Sequence, residues 1–114
     1  MQTKRVYEIY DTKDGYRVLV DRLWPRGMSK EKAHVDIWLK EIAPSDTLRN
    51  LFHHEGMKWA VFEEKYKEEL EDKKELLLEL KKWEKQHSCI TLLYGAKDTN
   101  QNQAIVLLHL LQTL

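Results

Sequence analysis

Two short, mostly apolar runs, Val18-Leu19-Val20 and Cys89-Ile90-Thr91-Leu92-Leu93-Tyr94, constrain this chain more than any other feature. A strand with one wet face would break such runs with alternating polar residues, so each reads as a strand covered on both faces. Between them lie stretches with helical spacing. Trp59, Phe62, Tyr66 and Leu70 recur at steps of three, four and four, and Leu76, Leu77, Leu80 and Trp83 follow the charged break Glu71 to Lys74. Strands separated by helices imply an α/β fold: a short, mostly parallel sheet flanked by helices on both faces.

The remaining segments fit that frame. Lys4 to Ile9 alternates polar and apolar side chains as a short strand does, and Asp11 to Gly15 carries turn chemistry. Tyr16 to Leu23 forms the next strand. From Ser29 to Glu41 the pattern is that of a broken helix with Val35, Ile37, Trp38 and Ile42 as its apolar contacts, ended by Pro44. Ser45 suits the N-cap of a short helix with Leu48, Leu51 and Phe52 on one face, and His53 and His54 in its last turn read as helix-end cations. A final helix starting near Thr99 or Asn100 buries Ala104, Ile105, Leu107, Leu108 and Leu111. With no linker, low-complexity tract or internal repeat, residues 1–114 are expected to form a single domain, long enough to bury a real core.

Composition excludes several functions. The 19 basic and 19 acidic residues cancel, so the whole molecule offers no long-range pull toward nucleic acid or an anionic membrane. Locally the balance is uneven: residues 1–32 hold eight Lys or Arg against five Asp or Glu, and residues 55–84 seven against ten. The single cysteine, Cys89, rules out an internal disulfide framework and reads as a small buried hydrophobe; with the polar start MQTKR, it points to a cytoplasmic protein. No apolar stretch approaches the length of a membrane helix, so no membrane partner is expected. His34, His87 and His109 show no ligand spacing, and neighbouring His53 and His54 point about 100° apart on a helix. No metal or cofactor is therefore expected.

The stretch VDRLWPRG, residues 20–27, is where chemistry is to be sought. If the Tyr16 and Cys89 strands are parallel, their carboxyl ends open on one edge of the sheet, where α/β proteins place ligands. The first delivers Asp21, Arg22 and, beyond the Trp24-Pro25 bend, Arg26; the second delivers Lys97 and Asp98, followed by Asn100 and Asn102 at the start of the last helix. Two guanidinium forks, an ammonium and the helix start favour a phosphate or carboxylate. Pro25 fixes one backbone angle and Gly27 permits a sharp return, which together would hold Arg26 in a narrow range of directions. An Asp–Arg pair at a strand end equally serves to tie down a loop, and the two uses stand side by side here. Asp21 is the candidate general base, although adjacent cations normally leave such a carboxylate a spectator. Ser45 is a cap or a ligand hydroxyl, and Trp24 is the one tryptophan placed to stack on a ligand.

These residues also carry a resemblance. VDRLWPRG (20–27), W-x-K-E-I-x-P-S (38–45), L-R-x-x-F-H (48–53), F-x-x-x-Y-x-x-E-L (62–70) and T-L-L-Y-x-A-K (91–97), followed by Asn102 and Ala104, resemble the YeaO-like family of small bacterial proteins, a domain-of-unknown-function group. The resemblance covers nearly the whole chain and implies a compact α/β protein of bacterial, cytoplasmic origin. Asp21, Arg22, Pro25, Arg26, Gly27, Pro44, Ser45, Lys97 and Asn102 match the family pattern position by position. The pattern varies at the Gly95 position and accepts an amide at the Asp98 position.

Two functions follow as expectations. The first is a small-ligand protein gripping an anion, a phosphate or carboxylate, that of a nucleotide included, with Arg22, Arg26, Lys97 and the last helix's start, assisted by Trp24, Ser45, Asp98 and Asn102. The alternative is a nucleic-acid or protein-binding module acting through the basic amino-terminal third, with Trp24 stacking. Self-association into a homodimer stays open.

Overall fold

The computed structural model describes all of residues 1–114. Four parallel strands form one sheet in the order β1-β4-β2-β3: β1 (Gln2–Arg5), β2 (Tyr16–Leu19), β3 (Ile37–Trp38) and β4 (Ile90–Tyr94). Every residue of β4 is buried, which explains why its sequence is nearly continuous in apolar side chains. The registers Leu19↔Leu93 and Arg5↔Tyr94 bring the carboxyl ends of β1, β2 and β4 to one edge.

Alternation along the strands sorts the core into two layers. Val18, Val20, Ile90, Leu92 and Tyr94 face one way and pack with α2 (Asp46–His54), α3 (Trp59–Leu70), α4 (Lys74–His87) and α5 (Gln103–Gln112). Val6, Leu19 and Leu93 face the other way and meet Ala33 of the single-turn α1 (Lys30–Ala33), together with Trp24, Met28, Val35 and Trp38. Both faces are covered as expected, but unequally. Four helices shield one side; one helical turn and a folded loop shield the other.

The thin side is held by charge as well as by apolar contact. Arg17 and Asp14, both almost fully buried, form an ion pair there. Arg17 also donates to the carbonyls of His34 at 2.9 Å and Ala33 at 3.0 Å. Lys4 Nζ and the Asp11 N–H complete the Asp14 carboxylate at 3.1 and 3.2 Å. Burial alone would raise the Asp14 pKa, but these donors outweigh it and hold the carboxyl below its usual value. Beside it Gly15, at φ 68°, lets the chain enter β2; a Cβ there would lie 2.3 Å from the Cys89 carbonyl oxygen.

Four boundaries differ from the sequence expectation, and β2 is one of them, ending at Leu19 and not at Leu23. The first strand is Gln2–Arg5 and not Lys4–Ile9: the Arg5 N–H donates to Glu8, the chain turns, and Tyr7 and Ile9 are left exposed. The segment 29–41 is not one broken helix. Asp36 accepts from the Arg17 N–H at 2.8 Å and returns its own N–H to the Arg17 carbonyl, and this pairing along β2 draws Ile37 and Trp38 into an edge strand. Sheet pairing overrides a local helical pattern. The last helix begins at Gln103, because Asp98 accepts the N–H groups of Asn100 and Gln101 into a separate turn and Asn102 is the actual N-cap. Cys89 is half-buried, with Sγ 3.7 Å from the Ile90 carbonyl oxygen.

Arg17→Met leaves Asp14 buried with much of its compensation gone. Its expected effect is a loss of about 3 kcal/mol, read from urea unfolding at neutral pH; an unchanged midpoint would show that the pair is not what secures this face.

Candidate functional site

Where β2 and β4 end side by side, Asp21 and Gly95 meet. The Asp21 carboxylate accepts the Gly95 N–H at 2.8 Å and a second hydrogen bond from the Gln103 amide at the start of α5. A Cβ on residue 95 would sit 3.0 Å from Asp21 Oδ2, a tight contact that a side chain here could keep only if the carboxylate shifted slightly. The Asp21 carbonyl in turn accepts from Trp38 Nε1 at 2.7 Å. One residue thus joins β2, β4, α5 and the edge strand.

Arg22 reaches across to the segment before α2, donating to the carbonyls of Pro44 at 2.9 Å and Ala43 at 3.1 Å. Arg49 comes from α2, where its guanidinium lies 3.6 Å from Asp46. Its Nε is buried and has no hydrogen-bond partner, the one buried side-chain polar atom in the chain in that state. His53 follows Arg49 by four residues and so occupies the same helix face. Asp21, Arg22, Arg49, His53 and Gln103 line a cavity of about 160 Å³ walled by Leu23, Pro44 and Ala96.

Burial raises the Asp21 pKa to about 6, against the opposing hydrogen bonds from Gly95 and Gln103 and the nearby charge of Arg49. His53 is shifted the other way. Partial burial, then the Arg49 and His54 charges, lower its pKa and favour the neutral imidazole. At neutral pH the cavity therefore holds two guanidinium groups, a carboxylate that takes up a proton in mildly acidic solution, and an uncharged histidine.

The sequence-predicted residues divide into groups. Asp21 and Arg22 line the cavity. Lys97 and Asp98 line an adjoining one of about 330 Å³ with Phe52, Gln101 and the shared His53 and Ala96. Arg26 lines neither. It is exposed, and its carbonyl accepts from the Tyr7 hydroxyl at 2.9 Å. Trp24 turns inward, its Nε1 donating to the Met28 carbonyl at 2.7 Å and its ring meeting Trp38 edge-on. Ser45 caps α2 and donates its hydroxyl to Glu69 at 2.6 Å. Asn102 is fully buried, capping α5 and donating to the Asp98 carbonyl at 2.9 Å. The proline-bent segment thus closes a loop, and the expected convergence of Arg22, Arg26 and Lys97 in one hollow does not occur.

Arg49 and Gln103 are not singled out by the sequence, and His53, read there as a helix-end cation, is instead held toward the neutral form on the cavity wall. Arg49 and His53 lie in the L-R-x-x-F-H block at a spacing that places both on one helix face, and that spacing was the available signal. Gln103 gave none, since only the fold brings its amide to Asp21.

A parallel α/β sheet with a polar, doubly guanidinium-lined cavity at its strand ends defines the class of protein. The chain belongs to the YeaO-like DUF488 family: the family model described as "Inactive DUF488-N3 subclade" matches residues 1–114. It is 46% identical to the uncharacterised protein YeaO of Escherichia coli, across 100% of this chain and 98% of that one. It is 40% identical to uncharacterised proteins of Mycobacterium bovis and Mycobacterium tuberculosis, across 97% of this chain and 92% of theirs. No solved structure matches it. No helix is long and apolar enough to cross a membrane.

Because Asp21 holds its proton more tightly folded than unfolded, its protonation favours folding; that contribution is complete below about pH 4 and is lost as pH rises through about 6. Asp21→Asn keeps an acceptor for the Gly95 N–H and removes the buried charge. In urea unfolding the variant is expected to exceed the parent by about 2 kcal/mol near pH 8, with the gain vanishing near pH 4. A gain independent of pH would contradict the assignment.

Proposed function

We propose that this protein binds a small anion, a phosphate or carboxylate group, in the cavity at the carboxyl ends of β2 and β4, and that it does so as a binding protein and not as a catalyst. The observation that carries the reading is the convergence of two guanidinium groups, Arg22 and Arg49, on one small cavity, with the Nε of Arg49 buried and without a partner. Two guanidinium groups on one wall offer an anionic oxygen charge-assisted hydrogen bonds, which are stronger than those between neutral groups. The volume of about 160 Å³ suits one compact group and is below the range typical of larger cofactors.

Asp21 tunes this site. Its carboxylate opposes an anion while ionised and ceases to do so once protonated, so affinity is expected to rise as pH falls through about 6. The matching family model is described as an inactive subclade, in keeping with binding alone.

The nucleic-acid alternative draws less support. Of the eight basic residues in the amino-terminal third, four are engaged, Lys4 and Arg17 with Asp14, Arg5 with the Ala96 carbonyl at 2.8 Å and Arg22 with two carbonyls, while Lys13, Arg26, Lys30 and Lys32 are exposed. Trp24 is packed against Trp38.

Calorimetric titration with inorganic phosphate and with acetate tests the proposal. Binding is expected to tighten between about pH 7.5 and 5.5 and to weaken by about tenfold or more in Arg49→Gln, while Lys30→Ala, remote on α1, behaves as the parent. Absence of binding by both probes, or equal affinity in parent and Arg49→Gln, overturns it.

A further inference from the structure

Beside the anion cavity lies the second chamber, about twice its volume, and the two share His53 and Ala96 as a common wall. Its chemistry is different. Lys97 and Asp98 offset each other, so the chamber lacks the cationic surplus of its neighbour. Asp98 is already engaged, since its Oδ1 accepts two backbone N–H groups at 2.8 and 3.0 Å. Lys97 makes no ion pair, and Gln101 brings an amide that can donate or accept.

The chamber also has an aromatic wall that cannot easily move. Phe52 stacks on Phe62 with ring centroids 4.3 Å apart and touches Trp59 at 5.8 Å and His53 at 5.1 Å. A ring fixed by three neighbours loses little freedom when a planar guest settles against it. An uncharged, planar group carrying its own donors and acceptors therefore matches this chamber better than a second anion, which would meet Asp98. The volume of about 330 Å³ is within the range of small-molecule sites.

We propose that the two chambers form one bipartite site for a nucleoside monophosphate, with the phosphate in the Arg22–Arg49 cavity and the base in the chamber lined by Phe52, Lys97 and Gln101. This rests on the anion-binding reading and extends it. His53 stands at the junction, partly exposed and bordering both parts, and so it is the residue that sets the distance allowed between phosphate and ring.

The test compares three probes by calorimetry on the full chain: inorganic phosphate, ribose phosphate and adenosine monophosphate. The nucleotide is expected to bind about tenfold more tightly than either of the other two, the increment of one base stacked on an aromatic ring. In the surface double variant Lys97→Ala/Gln101→Ala, and separately in Phe52→Leu, the ratio of nucleotide to phosphate affinity should collapse toward one, while Lys30→Ala preserves it. Equal affinity for all three probes in the parent, or a ratio untouched by both chamber variants, overturns the bipartite site and leaves the anion cavity standing. If no probe binds, both readings fall.

Discussion

The carboxylate of Asp21 holds three separate pieces of chain at one point, the end of β2, the Gly95 N–H beyond β4 and the Gln103 amide at the start of α5. Parallel strands have no hairpin to fix their ends, and their connections run through distant helices. Here a single side chain does that work where the central strands finish. Its burial makes ionisation costly, and its two hydrogen-bond donors recover only part of that cost. The tie that orders the sheet edge is thus also the group that titrates inside the cavity. Structure and electrostatics of the site are inseparable for that reason.

The opposite face shows the same economy with a different balance. Asp14 is also buried, but Lys4, Arg17 and the Asp11 N–H surround it, and it stays ionised. Two aspartates of one sheet therefore behave in opposite ways. The number and charge of the donors facing each carboxylate decides the matter, and burial alone does not. The Asp14–Arg17 pair closes the thin layer over β2 that lacks a full helix, while the Asp21 side remains partly open between α2 and α5. One face is sealed by charge and the other keeps room for a guest.

That room is shaped by α2. Ser45 caps the helix and is itself held by Glu69 of α3 through both its N–H and its hydroxyl, at 2.9 and 2.6 Å. The cap fixes where α2 begins, and so where Arg49 and His53 point one and two turns later. Arg22 reinforces this from the sheet through the Ala43 and Pro44 carbonyls. Residues expected to touch a ligand, Ser45 and Asn102 among them, are instead occupied in capping the helices that carry the groups lining the cavity.

What the residues determined by themselves was the architecture. Consecutive apolar positions in β2 and β4 required cover on both faces, and the regular spacing in α3 and α4 supplied the cover, since these are local patterns readable from side-chain chemistry. The Ser45 cap, the strand-end location of Asp21 and the family resemblance were legible for the same reason. Only the tertiary structure decided that 29–41 contributes an edge strand, that α5 starts at Gln103, that Arg26 lies apart, and that Arg49, His53 and Gln103 complete the cavity. These outcomes depend on which backbone N–H and carbonyl groups find one another across sequence separations such as the 82 residues between Asp21 and Gln103. No local pattern encodes a partner that far along the chain, because its position is set by the packing of everything between.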